Sequence, residues 1–277
     1  MIDVHHLGRE RVIGCWEVDG VLVDPGPEST VETLLSGLGE GFEPRAVLLT
    51  HIHFDHAGGA GALVRRWPRL PVYVHERGAP HLRDPERLVR SATRLYGEEN
   101  MQRLWGKVMP VPGENLRVLQ GGEKVLKDFK VAYTPGHASH HVAYLHCSTQ
   151  TAICGDVAGV RIAPADLVVA PTPPPDVDVP AWKRSIDLVA GWKPERLCYT
   201  HFGDATDVER HFDALRQSLD ALSARVAETK LDEFVAGHER WLREQVDDAT
   251  AAAYAQAVPA DHVWLGLDRW HSRSAAA

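Results

Sequence analysis

The stretch His51-Ile52-His53-Phe54-Asp55-His56 places four metal-ligand side chains in six positions, directly after the apolar run Ala46–Thr50. Residues two apart share one side of an extended backbone but lie on nearly opposite sides of a helix. His51 and His53 therefore converge on one point only if the segment is extended or looped. The preceding run reads as a buried strand, which fits. Asp55 and His56 fall where the chain turns toward a helix opening at Gly58-Gly59. Adjacent side chains point in different directions, so this pair is placed for a second ion beside the first. Imidazole combined with carboxylate suits zinc, iron, manganese or nickel better than calcium or magnesium.

Outward from this cluster the pattern alternates. Arg11–Val18 and Gly20–Val23 read as strands around a turn at Asp19-Gly20. Asp24-Pro25-Gly26-Pro27 breaks the chain, and Ser29 or Thr30 can cap a helix running to Leu38. Gly58–Trp67 reads as a helix and Pro71–His75 as the next strand. Glu76–Pro110 interrupts the alternation, with a helix from Asp84-Pro85 carrying Leu88, Ala92, Leu95 and Tyr96 on one face. Met101, Leu104 and Trp105 mark a further helical turn or two. Leu116–Gln120, Lys124–Thr134, Val142–Cys147 and Thr151–Cys154 are short and strand-like. Pro171–Pro180 is a Pro-rich connector without strand or helix character. A helix over 181–190 then leads to a strand at Arg196–Thr200. From Asp204 onward the spacing of Leu215, Leu219, Leu222 and Val226 is helical. Strands followed by helices, twice over and without strict parallel alternation, predict two sheets with helices outside them.

Composition excludes several classes. The 277 residues carry 44% hydrophobic and 25% charged residues, ordinary globular values. A net charge of −8 argues against nucleic acid or an anionic membrane as partner. No apolar window approaches the length of a membrane span, and Met1–His6 shows no signal-peptide pattern. The four cysteines are scattered without a Cys-x-x-Cys pair and read as reduced, mostly buried thiols of a cytoplasmic protein. No Gly-x-Ser-x-Gly elbow is present, nor a cysteine beside the histidines to suggest covalent catalysis.

Three further motifs follow strands in order: Thr134-Pro135-Gly136-His137, Gly155-Asp156 and Tyr199-Thr200-His201. With the first cluster they resemble the metallo-β-lactamase fold superfamily, over residues 1 to about 205. The resemblance implies an α+β fold, a four-layer αββα sandwich over 1–205, with 76–110 as a helical insertion and 206–277 as a helical C-terminal region. It implies two divalent metal ions per chain, zinc with iron or manganese as alternatives. His51, His53 and His137 would hold one ion, Asp55, His56 and His201 the other, and Asp156 would bridge them. Asp55 and Asp156 would be the catalytic carboxylates, with Asp55 orienting the attacking hydroxide. His140 and His141 would either support the ligands or form a surface turn.

Zinc β-lactamases of this superfamily typically carry a cysteine where Asp156 stands, so β-lactam cleavage is not the expected role. The pattern looks most like the glyoxalase II branch, which hydrolyses a thioester of glutathione. That branch's basic and tyrosine glutathione contacts have no clear counterparts on the C-terminal segment. The expected substrate is thus a small molecule, a thioester or other small ester. A lactonase and a phosphodiesterase are alternatives on the same site; lactone-cleaving relatives place a tyrosine where Gly159 stands. A mono-iron persulfide dioxygenase-like oxidoreductase is the remaining enzyme class, and such proteins generally lack the last histidine. The insertion is a candidate cap over the site. The apolar tail, with Tyr254, Trp264, Leu265, Leu267 and Trp270, would pack back on the domain or form a homodimer contact.

Overall fold

The computed structural model describes residues 1–275, except for the side chain of Leu95, so the expected place of Leu95 on the apolar helix face lies outside the described residues. Strands β1 (Ile2–Asp3), β2 (Gly14–Val18), β3 (Val21–Val23), β4 (Ala46–Leu48), β5 (Val72–His75) and β6 (Leu116–Leu119) follow one another across a first six-stranded sheet. Strands β7 (Lys124–Val125), β8 (Phe129–Tyr133), β9 (Val142–His146), β10 (Thr151–Ile153), β11 (Arg196–Tyr199) and β12 (Gly203–Ala205) cross the second, also in order. Strands β3 to β6 are parallel, as are β10 and β11.

Side-chain alternation, with its period of two, sorts these strands into layers. Val21, Val23, Ala46 and Leu48 of the first sheet share a buried cluster with Phe129, Val131, Val142 and Tyr144 of the second. The intervening Leu22 and Val47 face the other way, into the cluster that holds helical residues Leu34 and Leu63. Ala143, Leu145 and Leu197 do the same from the second sheet, with Ile186. Helices α1 (Val31–Leu38), α2 (Phe54–Ala57), α3 (Ala60–Arg66) and α7 (Val179–Ala190) supply these outer layers. The expected αββα sandwich is the fold.

The insertion folds as α4 (Ala79–Arg83), α5 (Glu86–Tyr96) and α6 (Glu98–Trp105). Met101 and Trp105 are buried with Phe54, forming a small core of their own with Leu88, Val89 and Tyr96. The C-terminal region is α8 (Val208–Glu228), α9 (Leu231–Gln245), α10 (Asp248–Ala257) and α11 (Ala260–Ala275). The tail packs back on the domain. Tyr254 is fully buried, and its hydroxyl accepts from Ile162 N at 2.9 Å and donates to Leu167 O. Gly266 of α11 sits so close to the Pro-rich connector that a Cβ there would lie 1.9 Å from Thr172 O.

Several local expectations need correction. Lys124–Thr134 is two strands, because Leu126 and Lys127 take left-handed backbone and make a tight turn. Gly203–Ala205 is an edge strand paired with β11, so the helical region starts only at Val208. Thr30 does not cap α1; its hydroxyl donates back to Pro27 O at 3.0 Å. The connector also ends earlier than its prolines suggest. Asp178 caps α7 through Ala181 N, and Pro180 occupies the first turn, where its missing N–H costs nothing.

Candidate metal centre

Each predicted donor follows the C-terminal end of a strand. His51, His53, Asp55 and His56 follow β4, His137 follows β8, Asp156 follows β10 and His201 follows β11. Backbone bonds between the sheets hold these ends together, with Val142 N donating to Thr50 O at 2.7 Å and Gly14 N to Thr200 O at 2.9 Å. His53 is extended, at φ −62° and ψ 151°, immediately before α2. That is the looped geometry the two-residue spacing requires. Glycine is obligatory at two of the turns. A Cβ on Gly136 would fall 2.3 Å from Trp182 Cα, and one on Gly155 would fall 2.3 Å from Thr50 Oγ1. Both also have positive φ.

The structure brings all seven residues together. His51 Nε2 and His137 Nε2 each lie 3.0 Å from His53 Nδ1. Asp156 Oδ2 faces this trio, 3.3 Å from His137 Nε2 and 4.0 Å from His51 Nε2. Its other oxygen, Oδ1, faces a second group, 3.2 Å from His56 Nε2 and 3.7 Å from His201 Nε2. Asp55 Oδ2 completes that group, 3.2 Å from His201 Nε2 and 3.7 Å from His56 Nε2. One carboxylate thus spans two clusters.

The outer ring nitrogens decide which inner ones are bare. His137 Nδ1–H donates to Pro171 O at 2.8 Å, and His201 Nδ1–H donates to Val12 O at 2.7 Å. His56 Nδ1–H donates to Asp24 Oδ2 at 2.9 Å. Thr50 gives its hydroxyl proton to Asp24 Oδ2, which leaves Thr50 Oγ1 to accept from His51 Nδ1 at 3.1 Å. In the neutral form of all four rings Nε2 is therefore the lone-pair nitrogen, and it is aimed inward. His56 Nε2, His201 Nε2 and Asp156 Oδ1 are buried with no hydrogen-bond partner among the described residues. Bare, converging, buried nitrogens and a carboxylate oxygen without donors fit divalent cations and little else.

Charge balance points the same way. Burial drives His51, His53 and His137 below the ordinary imidazole value, His53 to about 3. Burial also acts on His56 and His201, but the carboxylates of Asp156 and Asp55 outweigh it and raise both. For Asp156, burial favours the acid form, yet the surrounding imidazoles hold it far below the usual carboxylate range. The second cluster in particular demands positive charge.

Asp24 carries a role that sequence reading missed. It stands at the C-terminal end of β3, where it looked like part of a chain break. It accepts from Thr50 N, Thr50 Oγ1, Thr200 Oγ1 and His56 Nδ1. A carboxylate at a strand end, in step with the other ligand-bearing ends, was the only available signal. His141 is buried against His51 with ring centroids 5.0 Å apart, and its Nδ1 pairs with Thr134 Oγ1. A surface turn is thereby excluded for His141. His140 accepts from Ile52 N at 3.4 Å and lines the space above the cluster.

That space is a chamber of about 510 Å³. Its floor includes His53, Asp55, His137 and Asp156, and α5, α6, α10 and α11 contribute walls. Residues of the insertion thus line the same space as four of the seven donors.

Residues 17–201 match the metallo-beta-lactamase superfamily, and the chain belongs to it. A hydroxyacylglutathione hydrolase of Hamiltonella defensa is 32% identical over 136 residues, 49% of this chain and 41% of that protein. The chain thus matches less than half the length of this relative. A probable metallo-hydrolase of Bacillus subtilis, YflN, is 28% identical over 206 residues, 65% of this chain and 74% of that protein. Among solved structures, an archaeal superfamily member from Sulfolobus tokodaii shares the fold at a TM-score of 0.65, with 21% identity and 90% and 88% of the two chains covered. TTHA1623, solved in a di-iron-bound form, superposes at 0.52 with 29% identity, covering 73% of this chain and 92% of its own. Among the described residues no helix is long and apolar enough to cross a membrane.

Proposed function

We propose that this chain is a dinuclear metal-dependent hydrolase acting on a thioester or other small ester. The observation that carries the reading is Asp156, whose two carboxylate oxygens face two separate donor groups. His51, His53 and His137 with Asp156 Oδ2 would hold one ion. Asp55, His56 and His201 with Asp156 Oδ1 would hold the other. A bound pair would supply water ionised near neutral pH and polarisation of the oxygen under attack.

The chain's own groups do the rest. Asp55 is partly open to the chamber while its Oδ2 faces His201 and His56, so its carboxylate can accept a hydrogen bond from the attacking water and fix its direction. The outer contacts of His51, His56, His137 and His201 hold the rings in the orientation that bound ions would need. α5, α6 and the tail wall the chamber on several sides, so they would shield part of a bound substrate from bulk water. Zinc is the proposed metal, with iron or manganese alternatives, since the donor set does not discriminate among them.

The test is a screen of metal-reconstituted protein against thioesters, lactones and phosphodiesters, with Asp156→Ala as control. Thioester or ester hydrolysis that the control lacks is the expected result. Failure on all three classes, or rapid oxygen uptake with a persulfide, would overturn it.

A further inference from the structure

The chamber above the seven donors has two chemically different ends. Leu88, Ala92, Leu104 and Trp105 of the insertion line it together with Val258 and Val263 of the tail, and all six are buried or half-buried. Arg77 and Arg87 also line it, but both are exposed, which places them at its mouth. Neither joins an ion pair among the described residues, whereas arginines elsewhere, such as Arg161 and Arg216, do. Arg77 stands 5.8 Å over the ring of Tyr133, which steers it without neutralising it.

The local charge is reversed relative to the whole molecule. Residues 77–94 hold Arg77, Arg83, Arg87, Arg90 and Arg94 against Asp84 and Glu86, in a chain of net charge −8. Arg87, Arg90 and Arg94 recur at helical spacing along α5. Asp176, which accepts from Ser139, also lines the chamber and keeps its charge, while Glu76, which accepts from the Gln120 amide, is outside the lining, so two guanidiniums face one carboxylate at the mouth. An apolar pocket with a cationic mouth selects a ligand that is greasy at one end and anionic at the other.

We propose that this chamber selects an ester or thioester with two unlike arms: an apolar one packed against Leu88, Ala92 and Trp105, and an anionic one held at Arg77 and Arg87. This rests on the hydrolase reading. For a thioester, water adds OH to the carbonyl carbon, the C–S bond breaks, and the thiolate takes up a proton. One product is a carboxylic acid, which ionises at neutral pH, and the other a thiol; the anionic arm leaves on whichever of the two carries it.

Thioethers bind without turning over, so they separate recognition from chemistry. S-octyl-coenzyme A, S-octylglutathione and neutral S-octyl-N-acetylcysteamine would be titrated calorimetrically into the metal-loaded protein. At least one anionic probe is expected to bind about tenfold tighter than the neutral one, the scale of a charge-assisted hydrogen bond or two. The tighter of the two identifies a phosphate or a carboxylate arm. Arg77→Gln with Arg87→Gln should erase that gap and leave the neutral probe unchanged. Ala92→Trp, which fills the chamber, should weaken all three. Equal binding of all probes, a gap that survives the arginine substitutions, or indifference to Ala92→Trp would overturn the inference. Binding as expected by a protein that hydrolyses no ester would instead sink the hydrolase reading and leave the two-armed site standing.

Discussion

Asp24 Oδ2 accepts from His56 Nδ1 at 2.9 Å, tying an imidazole of the donor cluster to a carboxylate from the neighbouring strand end. The same carboxylate holds the backbone and hydroxyl of Thr50 and the hydroxyl of Thr200, so it braces two ligand-bearing loops at once. Outer partners of this kind are worth about 10–100-fold in metal affinity. Asp24→Ala should therefore weaken the ion at Asp55, His56 and His201 by that factor and loosen the other less. Chelator competition measures both. Unchanged affinity at both sites would mean that Asp24 merely fills space.

Phe54 lies inside the ligand motif yet packs into the insertion's core, its ring 6.2 Å from Trp105. Phe54→Ala should cost about 3 kcal/mol, as buried Phe truncations do, with the loss concentrated in α5 and α6. Hydrogen exchange would rise there before it rises in the sheets. A uniform rise would show that the insertion has no separate core.

His238 gives the helical region an acid-sensitive element. It is fully buried on α9, stacked on Phe234, with neither ring nitrogen hydrogen-bonded among the described residues. Burial, helped by Arg225, lowers its pKa to about 4. The folded state therefore refuses a proton that the unfolded chain accepts near pH 6.5. Stability from this group is full above pH 6.5 and is lost as pH falls from there toward 4. The loss between pH 7 and pH 5 is about 2 kcal/mol by linkage. Urea melts of wild type and His238→Leu should differ by that amount in their pH response. An identical response would exclude His238 as the source.

Much of the fold and site was legible because the donors are chemically rare and each follows a strand end. His51 to His56, His137, Asp156 and His201 could be read from residue type and order, since few folds need such groups in sequence. Asp24 was not legible, because a single aspartate before proline and glycine is ordinary turn chemistry. Its meaning depends on the parallel pairing of β3 and β4, which sets it beside Thr50. Strand β12 escaped for a similar reason. Its residues Gly203-Asp204-Ala205 have no strand propensity and are held by pairing with β11 alone. The chamber is wholly tertiary: Arg87 and Val263, far apart in the sequence, both line it.

Metal titration of the stripped protein, followed by thioester hydrolysis in the same cuvette, bears most directly on the two-ion site. Activity should appear as the second ion binds and saturate at two per chain, while Asp156→Ala binds fewer ions and stays inactive. Saturation at a single iron with oxygen uptake and no ester cleavage would contradict a dinuclear hydrolase.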